Sequence, residues 1–363
     1  MTKKKLIIAA VLLVCAAAFI LWDLLTHRYY IDAFSGATPV AVVKNVPEGL
    51  SLKIDGKVKQ EYLFSSPALG QLSKTRIRVP EVSPEGEILG AYIYYGVPVI
   101  YIMEGVAPIK SETDAFNRPL DMVVIFTSSS GKSSVFSYGE LTMIDDSKPV
   151  TLAYYREPLL PTKNPETYTR NKYKENVKGL RLICPREPDT TRYLDDVVRI
   201  TLAGVNSPDQ LLPVTQKGKK CTSPDITCID NGTAKPAVYE EVEMKERSGW
   251  MRIGHGQGIK GDSVNTASGY SLRSFLKKNF PGCGPNDFFL FVGCDGYRAL
   301  FSGREIFTTE AGDTYMLLIS MNGVELENGK AVASPADFFV DRDVWGVSHI
   351  ARINFASGGS EPF

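Results

Sequence analysis

The stretch FTSSSGKSSVFSYGEL (Phe126–Leu141) decides how this chain is read, because FVGCDGYRALFSGREI (Phe291–Ile306) lies on it without a gap. Phe126 falls on Phe291, Gly131 on Gly296, Phe136 and Ser137 on Phe301 and Ser302, and Glu140 on Glu305. Both copies read as an apolar strand, a turn at a glycine that tolerates positive φ, and a return strand. Asp295-Gly296 in the second copy is the strongest short-range hairpin signal in the chain. Working outward, YGVPVIYIMEGVAP (Tyr95–Pro108) is like SGYSLRSFLKKNFP (Ser268–Pro281) in its glycine, its apolar spacing and its final proline. Leu272, Phe275 and Leu276 at helical spacing behind Ser271 predict a short amphipathic helix, ended by Pro281-Gly282. DVVRITL (Asp196–Leu202) and HIARINF (His349–Phe355) match as a closing strand. Blocks that recur in one order imply a duplicated domain. Strands mixed with isolated short helices predict an α+β class rather than a doubly wound nucleotide fold.

The N-terminus is of another kind. Lys3, Lys4 and Lys5 precede an unbroken apolar run from Leu6 to Trp22. As a helix that run covers about 25 Å at roughly 1.5 Å per residue, and with Leu24 and Leu25 it approaches the ~30 Å of a hydrocarbon core. Residues 1–30 are therefore read as a transmembrane anchor or signal segment, with the lysines held in the cytoplasm and the globular part extracytoplasmic, periplasmic or at the cell surface. Ala16–Ala18 offer a cleavage region, but Phe19–Trp22 continue the run, so an uncleaved single-pass anchor is favoured. Cys15 follows the bulky Val14 and is read as part of the anchor rather than as a lipid attachment site. The remaining length suits two domains, 40–202 and 238–356, joined by a linker over 203–237 that holds Pro208, Pro213, Pro224, Pro236 and the basic run Lys217–Lys220. Cys221 and Cys228 lie in that linker and are expected to close a short disulfide loop in an oxidising compartment. No metal site is expected there, since His27, His255 and His349 are the only histidines and none is near. Lys plus Arg equals Asp plus Glu at 41 each, so no basic field points to nucleic acid as a partner.

Among residues that carry chemistry, Cys184, Cys283 and Cys294 read as buried structural thiols, Cys294 being the nearest to a turn. GHGQGIKG (Gly254–Gly261) reads as a surface loop, or as an anion or cofactor loop using His255 and Lys260; its glycine spacing is neither a P-loop nor a dinucleotide fingerprint. Arg181, Arg186 and Arg192 form a basic cluster whose plainer reading is pairing with Glu187, Asp189 and Asp195. The chain has no Gly-x-Ser-x-Gly elbow and no Cys-x-x-Cys-His haem motif, so no catalytic residue is assigned.

The block order carries a family resemblance. Gly-Val-Pro opens a helix, a hairpin ends in Phe-Ser-x-x-Glu-Leu, Gly-Leu-Arg-Leu-Ile-Cys-Pro (Gly179–Pro185) follows, and Val-Val-Arg-Ile closes. This succession resembles the molybdopterin-binding domain of the sulfite oxidase family over about Leu50–Leu202 and, more weakly, Val238–Phe355. The resemblance implies two similar mixed-sheet α+β domains of that type and a pterin cofactor, molybdopterin, in an electron-transfer enzyme. It makes Arg181, on the Arg-Leu strand, a contact for a pterin phosphate, and Arg192, His255 and Lys260 complete the candidate cofactor-binding set. The family's molybdenum-binding cysteine precedes the Gly-Val block, yet Gln71–Tyr95 and Trp250–Ser268 contain none. Neighbouring Ser, Thr or Gly cannot supply that soft donor. The expectation is a membrane-anchored extracytoplasmic accessory or cofactor-binding protein without conventional molybdenum catalysis, serving an exported redox or assembly partner. The alternative is a molybdopterin-dependent oxidoreductase with atypical metal ligation.

Overall fold

The computed structural model describes residues 45–110, 116–143, 148–159, 177–205, 225–254, 259–326, 329–333 and 342–354, by backbone alone at 249–254, 259–264, 333 and 354. From Val46 onward the chain forms one compact unit. Its first half contains β1 (Ser51–Gly56), β2 (Tyr62–Ser65), α1 (Ser66–Gln71), β3 (Thr75–Val82), β4 (Ile88–Pro98), α2 (Val99–Glu104), β5 (Met122–Ser128), β6 (Ser133–Ser137), α3 (Tyr138–Thr142), β7 (Thr151–Pro158), β8 (Arg181–Ile183) and β9 (Val197–Gly204). The second contains β10 (Thr227–Asp230), β11 (Thr233–Pro236), β12 (Met244–Gly254), β13 (Ile259–Ser271), α4 (Leu272–Asn279), β14 (Asp287–Gly293), β15 (Arg298–Ser302), α5 (Gly303–Phe307), β16 (Met316–Met321), β17 (Val324–Glu325), β18 (Ala331–Ala333) and β19 (Val347–Asn354).

One sheet in each half is five-stranded, ordered β2-β1-β9-β5-β6 in the first and β11-β10-β19-β14-β15 in the second. The other two are β3-β4-β7-β8 and β12-β13-β16-β17, with β18 paired to β16. The internal repeat is thus visible as repeated strand order. Register sharpens it. Ile200 pairs with Ile54 and Phe126, and Ile350 pairs with Cys228 and Phe291. Ile350, not Ile353, is therefore the counterpart of Ile200. A bulge in each copy, at Thr127/Ser128 and at Val292/Gly293, fixes that register, and an ungapped match of the closing strands is therefore three residues out. The Gly-Val block lies where it was expected. Gly96 and Gly269 each follow a bulge, and a Cβ on either would stand 2.4 Å from the Leu152 carbonyl oxygen or 2.3 Å from that of Leu317. Only glycine lets the strands approach this closely.

The α+β expectation is overturned. The chain is mostly β, its strands spread over four sheets in a four-bladed, propeller-like set, rather than an α+β fold of sulfite oxidase type. The longest described helix, α4, has eight residues. Apolar runs that suggested helix–sheet layering are instead buried between sheets. Each half has its own core, one around Leu52, Val124, Phe126 and Ile200, the other around Phe275, Phe289, Phe291 and Ile350. A third cluster joins Val123, Ile125 and Val135 to Phe288, Leu290, Val292 and Leu300. This explains why β14 is buried at every position: its alternate side chains face its own core and the seam with the first half.

The stretch read as linker also departs from expectation, because Thr227–Pro236 is a β-hairpin that begins the second five-stranded sheet. Asn231 and Gly232 take positive φ (48° and 76°), the turn geometry that Asp-Asn-Gly favours. The predicted Cys221–Cys228 disulfide is not formed: Cys228 is a free, buried thiol occupying in β10 the place of Ile54 in β1. Its side chain is a core residue, and burial pushes the thiol pKa up to about 12. Cys221 lies outside the described residues, as does the proposed anchor over 1–30. No helix among the described residues is long and apolar enough to cross a membrane.

Candidate functional site at the seam between the halves

The hairpins of both copies end in Ser-x-x-Glu, and each forms a complete capping box. In the first, Ser137 N–H donates to Glu140 Oε1 (2.8 Å) and Glu140 N–H to Ser137 Oγ (3.2 Å). In the second, Ser302 and Glu305 exchange the same bonds at 2.6 and 3.1 Å. This pattern normally satisfies the free N–H groups at a helix start on a protein surface. Here both boxes are buried at the seam and cross it: Ser302 Oγ donates to Glu140 Oε2 (2.7 Å), and Arg342 Nη2 donates to Ser137 Oγ (3.0 Å).

A guanidinium closes each box. Arg192 donates from Nη1 to Glu140 Oε1 at 2.8 Å and from Nη2 to Oε2 at 3.2 Å, and lies 3.9 Å from the Phe136 ring centroid. Arg342 makes the matching fork on Glu305, both bonds 2.6 Å, and lies 4.1 Å from the Phe301 centroid. Burial raises the Glu305 pKa even against Arg342, because a carboxylate so enclosed has lost its water. The copies then diverge at one residue. Gly139 stands where the second copy has Arg304, and a Cβ on Gly139 would lie 2.5 Å from Arg342 Nε. Glycine makes room for one arginine, while its counterpart is itself an arginine. Arg304 crosses the seam, donating from Nε to Glu187 Oε2 (3.1 Å) and from Nη2 to Asp189 Oδ1 (2.6 Å). Arg192 Nε holds the other oxygen of Glu187 at 2.5 Å. Burial outweighs both guanidiniums and raises the Glu187 pKa.

Two cavities adjoin this lattice. A small one of about 40 Å³ is lined by Glu140, Cys184, Glu187, Arg192 and Glu305 among others. A wider one of about 270 Å³ runs between the hairpins, lined by Ser133, Val135, Thr191, Arg192, Asn286 and Arg304 with neighbouring residues. The small cavity is large enough for ordered water, and the wider one for a small molecule.

The sequence-derived candidates are scattered. Arg192 lies at the seam. Arg181 lies on the four-stranded sheet of the first half, bound to Glu81 (2.9 Å) and to Asp195. Tyr94 donates to the same Glu81. By pairing, Ala331 takes the place of Arg181 in the second half, so that contact belongs to one copy alone. Lys260 falls in β13 with its side chain outside the described set, and His255 lies outside it altogether. Cys184 is buried and its pKa raised by burial, while Cys283 is half-buried with its thiol pushed up to about 11. Cys294 is disulfide-bonded rather than a free thiol. Among the described residues no cluster of His, Cys, Asp and Glu is arranged to hold a metal ion.

Arg304, Arg342 and Glu187 were not singled out as site residues. One signal was available. Arg192-x-Leu-x-x-Val197 recurs as Arg342-x-Val-x-x-Val347, with Leu194 and Val344 bridging back to Leu182 and Val332. That fourth repeated block carries the arginine of each capping box.

Comparison with known proteins adds little to this geometry. No family model matches the sequence, and neither does any curated protein. Among solved structures the chain is similar to the sulfane dehydrogenase SoxCD from Paracoccus pantotrophus, with 12% identity and a TM-score of 0.32, over 73% of this chain and 79% of that one. A likeness at that score carries no argument about fold or function.

Proposed function

We propose that this chain is a membrane-anchored extracytoplasmic accessory protein, a noncatalytic binding scaffold built from a doubled unit and serving an exported partner. A distant, cysteine-lacking kinship with the molybdopterin-binding domain of the sulfite oxidase family belongs to the same proposal and rests on the order of the sequence blocks. One observation carries the noncatalytic reading. Arg181, which the resemblance makes a contact for a pterin phosphate, and Arg192, the other arginine of the candidate cofactor-binding set, have both terminal nitrogens engaged by carboxylates of their own chain. Releasing either to a ligand would strand a buried carboxylate, which costs several kcal/mol. The lysine-flanked apolar run at the N-terminus supports the anchor and the side of the membrane.

The test is metal analysis together with pterin fluorescence on protein purified from its native host. Protein free of both, from a host that matures other molybdopterin enzymes, is the expected result. Molybdenum at one atom per chain would overturn the reading in favour of an oxidoreductase with atypical ligation.

A further inference from the structure

The wider cleft at the seam contains one guanidinium that the lattice does not exhaust. Arg304 spends its Nε hydrogen on Glu187 and one Nη2 hydrogen on Asp189. Both hydrogens on Nη1 and the second on Nη2 remain, and together they form an end-on fork. The Arg304 side chain is only 8% exposed, so this fork is fixed from behind by two carboxylates while the residue lines the cleft. Around it lie the side chains of Ser133, Thr191 and Asn286, of which Thr191 is hydrogen-bonded to Asp189, and Val135, Pro285 and Phe288 supply an apolar wall. Among the described residues no carboxylate lines the cleft.

From this we infer that the cleft between the two hairpins binds a small organic monocarboxylate with a short apolar body, its carboxylate on the Arg304 fork and its body against Val135 and Phe288. Planar two-point recognition suits a carboxylate. The charge behind the fork selects against a dianion. Glu140, Glu187 and Asp189 outnumber Arg192 and Arg304, so an inorganic phosphate meets twice the repulsion of a monoanion while gaining the same fork. The apolar wall adds nothing for phosphate and something for each methylene of the ligand. The inference goes beyond the accessory role and does not depend on whether a pterin is carried.

The experiment titrates the full chain, in detergent, with butyrate, butyramide and inorganic phosphate by calorimetry. Saturable one-to-one butyrate binding is expected, with butyramide and phosphate at least about tenfold weaker, as expected when a charge-assisted fork or its geometry is lost. A Ser133→Ala, Asn286→Ala variant alters only exposed rim side chains outside the charge lattice, and should weaken butyrate by about tenfold for two hydrogen bonds. Absence of saturable butyrate binding by folded protein would overturn the proposal. So would butyramide or phosphate binding as tightly as butyrate, or a rim variant of unchanged affinity.

Discussion

Replacing Arg342 with methionine isolates the element that holds the seam together. The native guanidinium makes two 2.6 Å bonds to Glu305, one to Ser137 Oγ at 3.0 Å and one to the Leu300 carbonyl at 3.1 Å, all buried. Methionine fills similar volume over the Phe301 ring, so packing is largely kept and the change is mainly electrostatic. Glu305 then retains Ser302 N–H at 2.6 Å and Tyr315 O–H at 3.4 Å, with no positive charge of its own. Stranding one member of a buried pair costs about 3–5 kcal/mol, which for a chain of this length lowers Tm by on the order of 10 °C. Adding Glu305→Gln removes the stranded charge and should restore roughly half of the loss, giving a coupling of about 2 kcal/mol between the sites. Urea unfolding of the single and double variants, followed by tryptophan fluorescence, reads both quantities. If Arg342→Met costs less than about 1 kcal/mol, or Glu305→Gln recovers nothing in its background, the lattice is not a stabilising joint and the reasoning fails.

Other consequences can be measured on the same protein. Gly139→Ala places a methyl 2.5 Å from Arg342 Nε and should cost about 1–3 kcal/mol, a penalty that shrinks when Arg342 is already methionine. Cys228 should resist alkylation in the folded state and react fully in denaturant, and non-reducing peptide maps should contain no Cys221–Cys228 link; recovery of that link would refute its placement in the core. Because burial raises the Glu187 pKa above its ordinary 4.5, the folded state holds that proton more tightly than the unfolded chain. The stability this group contributes is complete below about 4.5 and is lost as pH rises through the raised value. Glu187→Gln should therefore flatten the decline in unfolding free energy over that window, and an unchanged pH profile would count against the assignment.

The hairpins, the α4 helix and the Gly-Val block were legible because each has a local cause: turn glycines, an N-cap with helical apolar spacing, and a glycine at a close strand crossing. The class was misjudged because Met122–Phe126 and Asp287–Gly293 are apolar on both faces. That pattern tells of burial but not of what does the burying, and here the second face meets the other half rather than a helix. The disulfide was misread for a related reason. Spacing placed Cys221 and Cys228 close together, but Cys228 shares a face with Ile226 at the start of a strand while Ile229 faces the seam cluster, and its core position is set by pairing with Ile350, far away in sequence. Arg342 was invisible for want of a partner: an isolated Asp-Arg-Asp reads as surface charge until Glu305 is seen to face it.

Duplication explains why the seam is the place to look for function. Two copies of one unit begin with the same capping box, the same stacked arginine and the same bulges, and any residue that differs between them has been free to change without loss of the shared frame. Three such differences stand out: Gly139 against Arg304, Tyr94 against Ala267, and Arg181 against Ala331. The last two exchange a buried Tyr–Glu–Arg cluster in the first half for an apolar one in the second, a change confined within its own sheet. The first is of another kind, because it puts a cation across the seam with hydrogens to spare, beside the side chains of Ser133 and Asn286. A frame that only had to hold two halves together would have no use for that surplus, since the paired Arg192 and Arg342 already close both boxes. The asymmetry at position 304, a guanidinium in one copy against glycine in the other, is therefore the feature on which the proposed carboxylate site stands or falls.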